Sequence, residues 1–454
     1  MDILFISLGC DKNLADTELM LGLLQKKGFS FTDDAEKADI AIVNTCCFIG
    51  DAKEESIGTL LEMAELRSEG KLKALIATGC LAQRYQEEIR KEIPEVDALV
   101  GTAAIEEIGD VLEEVLAGTA RNHYRSLDTP PAVCRERVVT TGGHFAYLKI
   151  AEGCSKRCTY CIIPKVRGDY RSVPMEALLE QARRLAEDGV KELILVAQET
   201  TLYGVDLYGK KSLPELLSRL ASIEGLRWIR VLYCYPEEIT EELIDAIARE
   251  PKICHYLDIP IQHAADGVLR RMGRRTNQEE LRRQIERLRE RIPDICLRTT
   301  LISGFPGETQ EDFEELYRFV NEMEFDRLGV FPYSQEEDTP AADMPDQLAE
   351  EVKESRRDEL MELQQAIAFE KAEEMKGQTF TVMVEGKVAD EDVYVTRTYR
   401  DAPDVDGYLF LHTRAQLMSG DFVRAVVTDS NEYDLVGEMI EDMEESYEKD
   451  ELTQ

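Results

Sequence analysis

The chain has 454 residues, too many for one ordinary domain and enough for two or three. With 43% hydrophobic residues it can form a sizeable core, whereas its formal net charge of −37 argues against a nucleic-acid binder, because such proteins normally carry a basic surface. No apolar run approaches the roughly 20 residues that a membrane-spanning helix needs.

The N-terminal region, residues 1–120, alternates short apolar runs with helical patterns. Its first apolar run is too short for a signal peptide, and Asp2 stands where such a peptide carries positive charge. We therefore predict a cytoplasmic protein, in which the eleven cysteines serve metal ligation or catalysis rather than disulfides. Strands are predicted at 3–7, 40–44 and 74–78, and helices at 16–27 and 54–69. This alternation is typical of a parallel α/β sheet.

A linker at residues 121–139, marked by Thr129-Pro130-Pro131, leads into a central region at residues 140–372. Six strand-like runs alternate there with helical patterns, which indicates a partial (β/α)6 barrel. The strands are predicted at 147–151, 192–197, 228–234, 256–260, 297–303 and 327–332, with helices such as 174–187 and 310–323 between them. A charged helix at about 347–376 follows.

The C-terminal region, residues 373–441, changes to period-two runs at 379–384, 393–396 and 423–427. Turn-rich stretches separate these runs, and the pattern predicts a small antiparallel β-barrel. Residues 442–454 are dominated by acidic side chains and are predicted to form a solvated tail. The predicted fold class is therefore multidomain α/β, with a parallel α/β sheet, a partial barrel and a small β-barrel in chain order.

The most specific motif in the sequence is Cys154-x3-Cys158-x2-Cys161. It follows the first predicted barrel strand, at the C-terminal face where barrel enzymes carry out their chemistry. Three thiolates on one loop can hold three irons of a 4Fe–4S cluster and leave the fourth iron open. A zinc site is the alternative, but structural zinc sites have four protein ligands. A chance group of buried cysteines is the other alternative.

Three further cysteines, Cys10, Cys46 and Cys80, each follow an apolar strand of the N-terminal sheet. Because parallel strands end at one edge of a sheet, these thiols are expected to converge there and to bind a second cluster. Taken singly, each would be read as a small buried hydrophobic residue. The repeated position after a strand favours ligation, and Cys46 matches the pattern better than its neighbour Cys47.

Several segments together resemble the radical S-adenosylmethionine methylthiotransferases along the whole chain. They are SLGCDKNLADTE, VNTCCFI, TGC, EGCSKRCTYCIIPKVRGDYRS and LDIPIQHA. Within that family, CDKN after the first strand, YLDIPIQH and DAPDVDG look like the branch that modifies a ribosomal protein rather than transfer RNA. Cys47 departs from the family, which usually has a small or polar residue there.

The resemblance implies an N-terminal cluster domain, a radical S-adenosylmethionine barrel and a C-terminal TRAM domain. It also implies two 4Fe–4S clusters and S-adenosylmethionine as cofactors. One molecule of the cofactor would methylate a sulfur at the N-terminal cluster. A second would be cleaved to a radical that takes hydrogen from the β-carbon of an aspartate in the twelfth protein of the small ribosomal subunit. The unactivated C–H bond at this β-carbon is too weak an acid for any side-chain base near neutral pH, so a radical is required.

Gln198, Glu199 and Arg298 are further candidates for binding the cofactor. Gln198 and Glu199 end a predicted strand at the C-terminal face of the barrel. Arg298 has the planar donors that suit a carboxylate, although an ordinary ion pair inside the barrel explains it equally well. The turn at residues 304–308 is predicted to let backbone approach the adenosyl group.

Other polar and sulfur residues have simpler interpretations. Gln262 and His263 end another strand, and His263 is expected to be a core histidine. Four cysteines show no ligand pattern and are predicted to be structural: Cys134, Cys234, Cys254 and Cys296.

Two other functions compete with this prediction. The first is the same chemistry on a modified adenosine of transfer RNA, which would require a basic stripe on the small barrel. The second is an electron-transfer or cluster-carrier protein, which would require four-cysteine clusters. As partners we expect a basic ribosomal protein and a low-potential electron donor such as flavodoxin, with no membrane and no direct binding of nucleic acid.

The acidity of the small barrel suggests how the substrate is bound. From residue 377 to the end there are 19 acidic residues and 6 Lys plus Arg. Asp401, Asp404 and Asp406 lie close together in one turn, and we expect them to attract a basic ribosomal protein.

Overall fold

The structure is a computed structural model that describes residues 1–133 and 136–440. Cys134 and the predicted tail from residue 442 lie outside the described residues. The described chain contains a five-stranded parallel sheet, a six-stranded parallel sheet and a closed five-stranded barrel, which confirms the predicted fold class. No helix in this part of the chain is long and apolar enough to span a membrane.

The N-terminal sheet has the strand order β2-β1-β3-β4-β5. Its strands are β1 (Asp2–Ser7), β2 (Ser30–Thr32), β3 (Ile40–Thr45), β4 (Ala74–Thr78) and β5 (Ala98–Val100). Its helices are α1 (Asp11–Lys26), α2 (Gly50–Ser68), α3 (Gly79–Arg84), α4 (Gln86–Glu92) and α5 (Ile108–Leu116). Every residue of β3 and β4 is buried, as expected for central strands of a parallel sheet that is covered on both faces.

The central sheet has the order β13-β12-β11-β10-β9-β6, and its neighbouring strands are parallel. These strands are β6 (Phe145–Lys149), β9 (Glu192–Val196), β10 (Trp228–Val231), β11 (Ile253–Asp258), β12 (Cys296–Ser303) and β13 (Arg327–Pro332). Two short strands, β7 (Ala151–Glu152) and β8 (Arg171–Ser172), pair beside the sheet.

Helices separate most of the central strands and cover one face of the sheet. They are α6 (Ile163–Val166), α7 (Met175–Glu187), α8 (Val205–Tyr208), α9 (Leu213–Ala221), α10 (Glu241–Arg249), α11 (Asp266–Arg271), α12 (Gln278–Arg291), α13 (Gln310–Met323) and α14 (Glu350–Glu374). Leu195 and Leu257 of the strands share an apolar cluster with Leu216, Ile285 and Phe313 of the helices. This packing is that of a partial barrel with its helices outside.

The C-terminal barrel has the order β14-β15-β16-β18-β17. Its strands are β14 (Thr379–Lys387), β15 (Val393–Thr398), β16 (Leu409–His412), β17 (Phe422–Asn431) and β18 (Asp434–Met439). Most pairs are antiparallel, as predicted, but β16 and β18 run parallel and close the barrel.

The C-terminal barrel packs against the inner face of the central sheet. Phe145, Tyr147 and Tyr256 of the central strands share an apolar cluster with Met383 and Ala402 of the C-terminal barrel. Successive residues of a strand point to opposite faces, so these side chains lie opposite the helices. The small barrel thus covers the side of the sheet that the six strands leave open.

Buried ion pairs fix this contact. Glu192 accepts hydrogen bonds from Arg230 Nε and from Arg397 Nη2, each at 2.8 Å, and all three side chains are fully buried. Arg397 Nε also donates to Glu385 Oε1 at 2.8 Å. A single carboxylate of the central sheet is therefore shared by one arginine of its own domain and one of the C-terminal barrel.

The prediction that Asp401, Asp404 and Asp406 form a docking site is largely wrong. Two of these three carboxylates lie in the contact between the C-terminal barrel and the central sheet. Asp401 is buried and accepts a hydrogen bond from Arg327 Nη2 at 2.6 Å. Asp406 accepts a hydrogen bond from Tyr256 Oη at 2.8 Å. Asp404 is exposed. Only Asp404 is therefore available to a partner.

Candidate active site

The three N-terminal cysteines follow neighbouring strands of one sheet. Cys10 lies between β1 and α1, Cys46 follows β3, and Cys80 lies in the first turn of α3 directly after β4. Because β1, β3 and β4 are adjacent and parallel, their carboxyl ends bring the cysteines to one edge. Gly79 permits the turn at β4, since its φ is +90° and a Cβ there would lie 2.4 Å from Thr45 O.

The side chains at this edge are close together. A Cβ at Gly9 would lie 2.8 Å from Cys46 Sγ, so this thiol packs directly against the residue before Cys10. Asn13 Oδ1 lies 4.0 Å from Cys80 Sγ, while Asn13 Nδ2 donates to Thr45 O at 3.1 Å. Asn13 therefore connects the ends of β3 and β4.

Cys46 and Cys47 have different surroundings. Both thiols are buried near Cys80, and burial raises the pKa of each to about 12. Cys46 also lies beside Gly9 and near Cys10, whereas Cys47 packs in the apolar cluster that includes Leu60. This arrangement supports Cys46 as the third ligand, although the ligand role itself stays a prediction.

The second triad lies on the loop between β7 and α6. The loop is held by backbone hydrogen bonds from Cys154 N to Gly168 O at 3.1 Å and from Thr159 N to Met272 O at 2.9 Å. Cys154 and Cys158 are buried, and Cys158 Sγ lies 3.6 Å from Tyr235 Oη. Burial raises the pKa of Cys154 to about 11, so cluster binding must displace the thiol proton.

Each triad supplies three thiols, one fewer than the four protein ligands of a structural zinc site. Zinc brings its ligands to within about 2.3 Å of one point. The thiolates of a 4Fe–4S cluster bind different irons, so they need not converge on one point.

Gln198 and Glu199 lie just after β9, as predicted. Within the described part of the chain, Gln198 Oε1 and Glu199 Oε2 are buried without a hydrogen-bond partner. Burial raises the pKa of Glu199 to about 7, and its other oxygen accepts the backbone N–H of Thr201 at 2.9 Å. Two unpartnered acceptors at a strand end suit a ligand with amino or hydroxyl donors, which fits S-adenosylmethionine.

Arg298 lies in ion pairs with residues of the protein. Its Nη1 donates to Asp258 Oδ1 at 3.3 Å, and its Nε lies 3.4 Å from Asp406 Oδ1. The ion pair that the sequence left open as the alternative is therefore present, and a role of Arg298 in holding the cofactor stays a prediction.

The turn at residues 304–308 packs against helix α14. A Cβ at Gly304 would lie 2.3 Å from Lys353 Cγ, so the glycine at this position admits α14. The contact expected with an adenosyl group stays a prediction.

The remaining residues fit their simpler interpretations. His263 is buried as expected for a core histidine, and its Nδ1 accepts the backbone N–H of Ala265 at 3.0 Å. Its hydrogen bonding is only half satisfied, because within the described chain its Nε2 has no hydrogen-bond partner and lies 3.5 Å from Glu308 Oε2. Cys234, Cys254 and Cys296 are also buried.

Sequence reasoning missed a buried polar network between the two triads. Arg167 is its centre, and its guanidinium contacts Cys80, Asn13 and Asp16 of the N-terminal domain and Glu152 of the barrel. A single arginine in a polar loop has no periodicity or spacing that would identify it. The indications in the sequence are its place six residues after Cys161 and its position inside the family-like segment EGCSKRCTYCIIPKVRGDYRS.

A second contact joins the domains beside Cys10. The amino group of Lys12 lies 3.2 Å from the centre of the Tyr233 ring and 3.0 Å from Asp11 Oδ1. Tyr233 Oη donates to Asp11 Oδ1 at 3.2 Å. Both residues after Cys10 thus contact the segment that follows β10.

Family models match three parts of the chain. A model described as the radical SAM superfamily matches residues 148–320, and one described as uncharacterized protein family UPF0004 matches residues 2–101. A TRAM domain model matches residues 377–440.

Curated relatives match nearly the whole chain. The ribosomal protein uS12 methylthiotransferase RimO of Lachnoclostridium phytofermentans is 62% identical over 437 residues, which cover 96% of this chain and 99% of that protein. The protein of the same name from Clostridioides difficile is 50% identical over 437 residues, which cover 96% and 98%.

Among solved structures, the radical S-adenosylmethionine methyltransferase TsrM of Kitasatospora setae has a similar fold. The TM-score is 0.53 at 14% identity, covering 86% of this chain and 79% of that chain. At this identity the likeness concerns the fold alone.

Proposed function

Because the chain belongs to the radical S-adenosylmethionine methylthiotransferase family that includes the uS12 enzymes, we propose that it methylthiolates ribosomal protein uS12. The group is added to the β-carbon of an aspartate. The reaction uses two 4Fe–4S clusters, one on Cys10, Cys46 and Cys80 and one on Cys154, Cys158 and Cys161. S-Adenosylmethionine is the second cofactor, bound at Gln198 and Glu199.

The observation that carries this proposal is the position of the two triads. Each triad lies at the carboxyl ends of parallel strands, and Arg167 and the Lys12–Tyr233 contact join the two edges. Methylthio transfer needs a sulfur source close to the carbon that loses hydrogen. The edge of the N-terminal sheet and the edge of the barrel face each other, so both triads can act on one substrate carbon.

The protein's own residues orient the cofactor. When bound, the cluster and S-adenosylmethionine supply the one-electron chemistry that an unactivated C–H bond requires. Gln198 and Glu199 offer acceptors to the cofactor's amino and hydroxyl groups, and Glu152 fixes Gln198 by accepting its Nε2–H at 3.1 Å.

The two-cluster assignment is tested by metal content. Anaerobically purified protein should hold about eight irons per chain, and replacing Cys154, Cys158 and Cys161 with alanine should leave about four. Replacing Cys10, Cys46 and Cys80 should likewise leave about four, while reductive cleavage of S-adenosylmethionine remains detectable. A triple variant that keeps about eight irons would contradict the assignment.

The substrate is tested in a strain that lacks the protein. Mass spectrometry should show uS12 without its methylthio mass, while transfer RNA is unchanged. Loss of the methylthio group from transfer RNA with uS12 unchanged would favour the second candidate function. The charge of the C-terminal barrel opposes that candidate, because residues 377–440 carry 12 acidic and 5 basic residues.

The remaining partners follow from the chemistry. A low-potential electron donor such as flavodoxin must supply the electrons, and a cytoplasmic location would bring the enzyme together with new ribosomal protein. We propose no direct contact with nucleic acid, because the acidic surface repels phosphates.

A further inference from the structure

Arg167 joins the two candidate cluster sites through one buried guanidinium. The residue follows Cys161 on the barrel's own cysteine segment, and it is almost fully buried. Its Nε donates to Cys80 Sγ at 3.3 Å, although Cys80 belongs to the other triad. One side chain therefore starts beside the barrel triad and ends at the N-terminal triad.

The orientation of this guanidinium is fixed on its other sides. Its Nη1 donates to Asp16 Oδ2 at 2.6 Å and to Glu152 Oε2 at 3.0 Å, and its Nη2 donates to Asn13 Oδ1. A guanidinium is planar and rigid, so partners on both terminal nitrogens determine where the Nε–H points. That proton is directed at the sulfur of Cys80.

We propose that Arg167 is a positioning residue that holds Cys80 in place and sets the reduction potential of the N-terminal cluster. This inference rests on the proposed two-cluster function. Reduction adds one electron to a cluster and makes it more negative. A hydrogen bond from a cation to a ligand sulfur stabilises that charge, so it raises the reduction potential.

The same hydrogen-bond network extends to the residues of the barrel that are proposed to bind S-adenosylmethionine. Glu152, which accepts from Arg167, also accepts a hydrogen bond from Gln198 Nε2 through its other oxygen, at 3.1 Å. Gln198 is followed by Glu199, whose Oε2 has no partner in the described chain. The group that touches Cys80 is therefore two hydrogen bonds away from a residue proposed to bind S-adenosylmethionine.

The test is a redox titration of the holoenzyme in which electron paramagnetic resonance measures the reduced cluster at each potential. The variant with alanine at Cys154, Cys158 and Cys161 supplies the signal of the N-terminal cluster alone. Arg167→Lys keeps the charge but loses the Nε donor, so the potential of this cluster should shift to a more negative value. Glu152→Gln removes a nearby negative charge, so the potential should shift in the opposite direction.

Arg230→Lys is the matched control. Arg230 is also a buried arginine, but it contacts Glu192 and the C-terminal barrel, whereas Arg167 contacts a cysteine. It should leave the potential of the N-terminal cluster unchanged. Opposite signs in the Arg167 and Glu152 variants separate an electrostatic role from a structural one, since loosened packing has no reason to change sign.

The outcomes are separable from those of the proposed function. In the chain with both triads intact, loss of the N-terminal cluster alone from Arg167→Lys would support the holding role, whereas loss of both clusters would overturn the inference. An unchanged potential of the N-terminal cluster when Arg167→Lys is added to the variant that lacks the barrel triad would also overturn it. A wild-type iron content of about four would instead overturn the two-cluster function itself.

Discussion

Cys46 and Cys47 are adjacent and both buried, but they pack against different groups. Cys46 packs against Gly9, the residue before Cys10, whereas Cys47 lies in an apolar cluster with its thiol near Arg84. We therefore expect Cys46→Ala to lower the iron content from about eight to about four per chain, because one triad loses a ligand. Iron and sulfide analysis of the anaerobically purified variant measures this.

Cys47→Ala is the control for this experiment. It removes one sulfur from an apolar cluster and should keep about eight irons, with a modest loss of stability from the small cavity. The reverse pattern, with iron lost only from Cys47→Ala, would move the third ligand to Cys47.

If Glu199 binds S-adenosylmethionine as proposed, the binding should depend on pH. Burial raises the pKa of this carboxyl to about 7, so it is largely neutral below that pH and charged above it. The charged form accepts hydrogen bonds from the cofactor's amino and hydroxyl groups more strongly than the neutral form does. The affinity for the cofactor should therefore rise between about pH 6 and about pH 7.5, as measured by isothermal titration calorimetry.

Glu199→Gln tests the cause of this pH dependence. Glutamine keeps the shape and one acceptor but cannot ionise, so binding should be weaker above pH 7 and nearly flat over the same range. A variant that retains the full pH dependence would assign it to another group.

At the scale of elements, the turn between β15 and β16 is an internal connector. Asp406 accepts hydrogen bonds from Tyr256 Oη and Ala402 N, each at 2.8 Å, and lies beside Arg298. Removing one partner of a buried charge pair typically costs about 3–5 kcal/mol. We expect Asp406→Asn to lower the free energy of unfolding by about 3 kcal/mol, measured by chemical denaturation of the metal-free protein.

Asp404→Asn is the matched control in the same turn. Asp404 is exposed and has a φ of +65°, a conformation that asparagine also adopts readily. Its effect should stay within about 0.5 kcal/mol. Equal effects of the two variants would contradict the internal role of Asp406.

The sequence allowed the long elements to be predicted because their patterns are local. The strand at 74–78 and the helix at 310–323 were predicted with the bounds that the structure has. Strands β2 and β5 were missed because each has only three residues, too few to show a period. The parallel pairing of β16 with β18 depends on barrel closure, which no local pattern encodes.

The prediction of the site was limited for the same reason, because contacts between domains leave no local pattern in the sequence. The cysteines could be proposed as ligands from their spacing and from their position after strands. Arg298 and Arg167 each have a partner from another domain, Asp406 and Cys80, and these contacts depend on how the domains pack. The acidic turn was misinterpreted for this reason, because a carboxylate in the sequence looks the same whether it faces solvent or a buried arginine.

At the scale of the whole molecule, the acidic surface should speed association with basic uS12. Exposed charges are screened beyond about 8 Å at physiological ionic strength, so the association rate should fall as salt rises. Stopped-flow or surface-based kinetics with purified uS12 measures this.

Asp404→Asn should lower that association rate, while Glu432→Gln, an exposed acid in the turn between β17 and β18, should change it less. An association rate that does not depend on salt would contradict electrostatic attraction as the basis of substrate recognition.

The shared carboxylate of Glu192 has a consequence for how the chain is made. Arg397, one of its two arginine partners, lies 205 residues further along the chain. A ribosome delivers the central sheet long before it delivers that arginine, so the nascent sheet carries an incomplete charge pair and an uncovered apolar face that includes Phe145 and Tyr147. We therefore expect this face of the central sheet to stay exposed, and to be open to aggregation, until the C-terminal barrel has been made and covers it.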